Sequence, residues 1–332
     1  MHHKTIMDRA KAIVSLFAVA VSATAFAATQ PGVDDLRIVD NAAAIAVLDG
    51  AVEVMRFDKG QKGLVQLGAA NGSFEFRAVP SSRPIGLDVW ISPLTGDDGS
   101  DLYAFAPPRR QFDADDLRFK VVADGPDAAA VKVAWNCDLA RIEQVFERRF
   151  GDPTIRVQTR VEVLRPFSHV AIPMIFGPGE FDLAATRFLP SGERTRGGYD
   201  WGKQVFIGAG AKLPGMVSAA SPVKGGVAMA AARPSGLLDR MVYGCTKSDD
   251  YICPFFFAQG RTYETMIEHG MFSHLILVAM SSSLADAAPG DVFTGELLVF
   301  GHASDAAEAG LQQALTPAPE SPAASAEPLD AV

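Results

Sequence analysis

Ile155-Arg156-Val157-Gln158-Thr159-Arg160-Val161-Glu162-Val163 alternates mostly apolar and polar side chains over nine consecutive positions. Successive side chains of a strand point to opposite faces, so this period places one face of the segment against a core and leaves the other to solvent or a partner sheet. Immediately upstream, Ile142–Phe150 reads as a second strand, with Gly151-Asp152-Pro153 as the turn between the two.

Working outward, the habit repeats from Ile45 to Phe300 as short β-branched and aromatic runs separated by Gly, Pro, Asp and Asn. Asp49-Gly50 between Ile45–Leu48 and Ala51–Phe57 predicts a hairpin, because Asp-Gly suits a tight turn with positive φ. Strands are expected at Leu64–Leu67, Ser73–Ala78, Leu87–Ile91, Leu102–Ala106, Leu117–Val122, Ala130–Trp135 and His169–Phe176. Later candidates are Val205–Ala209, Gly226–Ala232, Met241–Tyr243, Ile252–Ala258, Tyr263–Glu268, His274–Met280 and Val292–Phe300. A helix is expected over residues 304–315, with Ser304 as N-cap, followed by a Pro/Ala/Ser/Glu tail over 316–332 too poor in apolar groups to order itself. The fold class that follows is all-β, a large antiparallel β-sandwich over residues 28–303 with one short C-terminal helix. Length alone admits two smaller domains as the alternative, but no linker divides the middle of the chain.

The N-terminus carries Lys4, Arg9 and Lys11, an apolar run over Ala12–Val21, and Ala25-Phe26-Ala27 before Ala28, the layout of a secretory signal over residues 1–27. The apolar run is shorter than the roughly 20 residues that span a bilayer. The mature chain is therefore expected in the periplasm or secreted, with no membrane span. Its net charge is strongly negative, since removing the signal's net +2 from the formal −9 leaves −11. A nucleic-acid partner is not expected of such a surface. Of three cysteines, Cys245 and Cys253 flank the polar turn Thr246–Asp250, which suggests a disulfide across a hairpin and leaves Cys137 as a buried free thiol.

The segment Ala130–Phe176, with its strand to Trp135, the Arg141–Phe150 strand, the Gly151-Asp152-Pro153 turn and the Ile155–Leu164 strand, resembles the central hairpin of galactose mutarotase-like (aldose epimerase-like) domains. Pro289-Gly290-Asp291 followed by Phe293–Phe300 is similar to the turn and final strand that close them. The resemblance covers about a third of the mature chain and implies a β-supersandwich with a sugar-binding groove on the concave face of one sheet. In epimerases of that family a His and a carboxylate serve as acid and base. This chain departs from them at Ser168-His169-Val170-Ala171-Ile172-Pro173-Met174-Ile175-Phe176, and no second His-Pro-Tyr-type histidine follows.

Two clusters carry candidate chemistry. Glu193, Arg194, Arg196, Tyr199, Asp200 and Trp201 fall within nine residues. Aromatic faces can pack on the apolar face of a sugar ring while charged neighbours bond its hydroxyls, so these residues are the expected substrate-binding set; a solvated loop with internal ion pairs is the plain alternative. Glu268, His269 and His274 offer a general acid and base near neutral pH, against the reading of a turn histidine and a strand histidine with structural hydrogen bonds. His169, beside apolar neighbours, reads as a core histidine. Asp97-Asp98-Gly99-Ser100-Asp101 lacks the distal Glu of a calcium loop and reads as an acidic turn. No cofactor or metal is expected, and neither a phosphate loop nor a nucleophile elbow is present. The functional expectation is an exported carbohydrate- or glycan-binding protein, with action on a polysaccharide or sugar left open; the alternative is a non-catalytic module that contacts a protein partner in the cell envelope. Export predicts a secreted chain whose first residue is Ala28, and N-terminal sequencing of the protein from a culture's extracytoplasmic fraction checks it.

Overall fold

The computed structural model describes residues 35–69, 72–76, 86–94, 109–176, 182–189, 205–212, 215–221, 225–231, 236–238, 240–246, 274–281 and 284–302. The described residues form β1 (Leu36–Asp40), β2 (Ala44–Asp49), β3 (Val52–Asp58), β4 (Gly63–Ala69), β5 (Gly72–Glu75), β6 (Trp90–Pro93), β7 (Arg109–Arg110), β8 (Arg118–Asp124), β9 (Ala128–Asn136) and β10 (Ala140–Arg149). They continue with β11 (Ile155–Val163), β12 (Phe167–Phe176), β13 (Asp182–Leu189), β14 (Val205–Lys212), β15 (Gly215–Ser221), β16 (Gly225–Ala231), β17 (Arg240–Thr246), β18 (His274–Met280) and β19 (Val292–His302). A 3₁₀ turn over Gln111–Asp113 follows β7.

Three antiparallel sheets result, in the orders β1-β2-β3-β4-β5, β13-β15-β16-β19-β11-β10-β9-β8 and β14-β17-β18-β12-β6-β7. The alternating segment is β11, at the middle of the eight-stranded sheet, with Ile155, Val157, Thr159, Val161 and Val163 buried on one face. Its register sets Val157 opposite Phe146 and Val161 opposite Ile142, and β9 adds Val131 and Trp135 in the same rows. One hydrophobic core joins all three sheets. Phe57 of β3 meets Phe146 of β10 edge-on at 5.0 Å, and Phe74, from β5, meets Phe176 of β12 at 6.0 Å. Such aromatic pairs contribute about 0.5–1.5 kcal/mol each beyond the area they bury. The ion pair from Arg148 Nη2 to Asp49 Oδ2, at 2.7 Å, ties the rim of the eight-stranded sheet to the β2–β3 hairpin.

The all-β architecture and most strands agree with the sequence reading, His274–Met280 to the residue. The differences have local causes. Leu87–Ile91 is extended only from Trp90, because Leu87 adopts φ +64° and breaks the strand. Four strands escaped the pattern: β1 and the two-residue β7, which are short, β13, whose Asp-Leu-Ala-Ala-Thr-Arg-Phe-Leu does not alternate, and β15, built mostly of Gly, Ala and Ser. Cys137 is half-buried rather than buried, and it is free. Both edges of β17 are occupied through Cys245 and Thr246, by β14 on one side and β18 on the other, and Cys253, the other half of the expected bridge, is not among the described residues. Cys253, the strands read at Leu102–Ala106, 252–258 and 263–268, the 97–101 turn, the signal, the helix and the tail lie outside the described residues. Among the described residues no helix is long and apolar enough to cross a membrane.

Two polar contacts in the core shape the inter-sheet junction. Lys62 (φ +61°) and Leu87 (φ +64°) are both left-handed without being glycine, a conformation that costs on the order of 1–3 kcal/mol. Each carbonyl accepts a hydrogen bond from a buried glutamine: Gln111 Nε2 to Lys62 O at 3.1 Å, and Gln144 Nε2 to Leu87 O at 3.0 Å. Beside them the backbone approach is close, for a Cβ on Gly86 would stand 2.4 Å from Phe76 Cδ2 and 2.5 Å from the backbone oxygen of Leu64. Gly86→Ala is expected to destabilise by about 2–4 kcal/mol, as overpacking against backbone does. Gly125→Ala, whose Cβ meets nothing nearer than 4.0 Å, should stay within about 1 kcal/mol of wild type. Urea unfolding of the two variants checks the contrast.

Candidate functional site

The described part of the site is one end of the six-stranded sheet. There the register runs straight across four strands: Phe206 of β14 pairs with Cys245 of β17, Cys245 with Leu275 of β18, and Leu275 with Phe176 of β12. One row further out, Val205 pairs with Thr246 and Thr246 with His274. Neighbouring strands lie about 4.8 Å apart, so Val205 and His274, two strands from each other, are separated by about 10 Å along that row.

This row decides where the chain's long connections start and finish. Residues 190–204 enter the sheet at Val205, residues 247–273 leave it at Thr246 and return at His274, and residues 177–181 leave it at Phe176. Of the predicted acid–base set, His274 is the first residue of β18, while Glu268 and His269 lie outside the described residues. Glu193, Arg194, Arg196, Tyr199, Asp200 and Trp201 lie outside them too. What the topology supplies is a shared anchor: Trp201 is four residues from Val205, and His269 is five from His274. The two clusters, more than sixty residues apart in sequence, thus precede strands that start two places apart at one sheet end. Loops presented by a rigid sheet are the usual carriers of binding residues.

Beneath this end the core is aromatic. Phe176 is fully buried and packs on Phe74 at 6.0 Å and on Phe76 at 5.3 Å, and Phe76 forms an isolated bridge with Phe176 that joins the first sheet to the third. Sequence reading passed over these phenylalanines as ordinary core residues. Their neighbourhood is legible only once β12 is seen to finish beside β18.

His169 lies half-buried on β12 at the level of Ser92, near the opposite end of the strand from Phe176. Burial, the largest influence, pushes the Cys137 thiol up, and its neighbour Asp138 is held below the ordinary carboxylate range by the hydrogen bond from Arg109. A thiol with a raised pKa is a poor nucleophile, which fits a structural rather than a catalytic cysteine. Asp88 is fully buried and its carboxyl is pushed well up by desolvation. Among the described residues no group of three or more His, Cys, Asp and Glu side chains is arranged to hold a metal ion.

No protein-family model matches the chain, and no curated protein matches it in sequence. Similar solved structures include the galactose mutarotase related enzyme from Lactobacillus acidophilus, at 9% identity and a TM-score of 0.43, with 81% of this chain and 98% of that one covered. A galactose mutarotase-like protein from Lactobacillus casei is similar at 11% identity and a TM-score of 0.36, covering 80% and 99%. A TPR-domain containing protein from Parabacteroides distasonis is similar at 10% identity and a TM-score of 0.46, where the match takes in 77% of this chain and 46% of that one. Each is a structural likeness at 9–11% identity.

Proposed function

We propose that the mature chain is an exported carbohydrate-binding protein that holds its ligand at the loop-bearing end of the six-stranded sheet. The observation that supports this reading is the row Val205–Thr246–His274, in which the strands that follow the two clusters in sequence start two places apart at one sheet end. Tyr199 and Trp201 would offer flat apolar faces to a sugar ring, and Glu193, Arg194, Arg196 and Asp200 would bond its hydroxyls. Glu268, His269 and His274 supply the acid and base if the ligand is turned over, because ring opening or glycosidic chemistry needs a proton donor and a proton acceptor on either side of the sugar. The stretch Ser168–Phe176, which departs from the epimerase pattern, favours binding without turnover. Its alternative partner is a protein of the cell envelope.

A glycan array combined with thermal-shift measurements on residues 28–315 tests the reading, since a ligand that binds the folded state raises its midpoint. Replacing Arg196 and Trp201 together with alanine is expected to abolish the binding of any glycan found and to leave the thermal midpoint of the free protein nearly unchanged. Retained binding in that double variant removes the 193–201 cluster from the site.

A further inference from the structure

Among the described residues, three buried oxygens on three side chains find no hydrogen-bond partner: Asp88 Oδ2, Gln111 Oε1 and Gln144 Oε1. Their residues are only 1, 2 and 1% exposed, so bulk solvent does not reach them. They share one neighbourhood. Gln111 Nε2 donates to Asp88 Oδ1 at 3.3 Å, and Gln144 Nε2 donates to the carbonyl of Leu87, the peptide unit that carries the Asp88 nitrogen. Both amides have a fixed orientation. The Gln111 nitrogen also faces Lys62 O at 3.1 Å, and the Gln144 nitrogen also faces Thr159 Oγ1 at 3.2 Å, so in each case the oxygen is the atom left over.

We propose that Asp88, Gln111 and Gln144 form a binding site for a single buried water that closes the junction of the three sheets. The hydrogens balance. A neutral Asp88 carries one O–H on Oδ2, which donates to the water. The water's two hydrogens go to Gln111 Oε1 and Gln144 Oε1, and it then makes three hydrogen bonds, the usual number for an internal water. With Asp88 ionised the count fails, because three acceptors face two hydrogens. The site is complete only while Asp88 holds its proton.

Among the described residues, no charge is arranged to compensate the carboxyl. Lys62, the residue before β4, sends its ammonium to Ala114 O at 2.6 Å. On the 3₁₀ turn, Asp113 is paired with Arg110, at its N-cap, and is half exposed. β12 runs alongside with Pro173 and Met174, its histidine lying at the level of Ser92, and β10 turns Glu143 to the face opposite Gln144. Burial alone therefore sets the carboxyl, and it raises the pKa above the ordinary value of 3.8. A carboxyl that holds its proton more tightly folded than unfolded contributes fully at low pH. Its contribution is lost as pH climbs from the unfolded value through the folded one.

Two measurements test the site. A high-resolution crystal structure of the wild-type protein should show one water within about 3.2 Å of all three oxygens. Thermal midpoints followed from about pH 5 to about pH 9 should fall in the wild type by about 2 °C or more beyond the change in Asp88→Asn, whose amide donates as the neutral acid does but cannot ionise. A junction closed without water, parallel pH profiles in the two proteins, or an Asp88→Asn chain that does not fold would each overturn the proposal.

Discussion

The junction of the three sheets depends on two glutamine amides that hold carbonyl groups the chain could not otherwise bury. Lys62 and Leu87 each turn the backbone into the left-handed region, and each turn aims a carbonyl oxygen inward. A buried carbonyl without a donor costs about 1–3 kcal/mol, so the turns persist because Gln111 and Gln144 are there to meet them. Gln144 stands at the centre of the eight-stranded sheet's inner face, between the rows of Ile142 and Phe146. By holding Leu87 it fixes the point from which β6 enters the six-stranded sheet, and β6 in turn pairs with β12.

The consequence for function follows β12 to its other end. β12 is flanked by β6 and β18, so its C-terminal residue Phe176 is level with Leu275, and β17 and β14 continue that row outward. The Phe74–Phe76–Phe176 group packs under the row and joins it to the first sheet. This end of the sheet is therefore held from two directions, by strand pairing within the sheet and by ring packing beneath it.

Much of the fold was legible because most of its strands alternate. β11, β10 and β9 announce their buried faces residue by residue, and the Asp49-Gly50 turn announces β2 and β3. What stayed hidden was either short, as β1, or built from residues without strong strand preference, as β15 with its Gly-Met-Val-Ser-Ala-Ala-Ser. The left turn at Leu87 was invisible because nothing in a leucine signals positive φ; its cause is Gln144, 57 residues away. The two candidate clusters were found by composition, but their common anchor was not, since β14, β17 and β18 become neighbours only through a sheet order that skips over the sequence between them. Asp88 and Gln144 fell within expected strands and Gln111 in none, and nothing in the sequence near them signalled that the three share one neighbourhood.

The most direct test of the account is amide hydrogen exchange on the mature protein with and without a bound oligosaccharide. The account predicts that added protection concentrates in residues 190–204 and 247–273 and at the strand ends Val205, Thr246 and His274, with the outer face of the eight-stranded sheet unchanged. Protection on that outer face, with both connections unaffected, would contradict it.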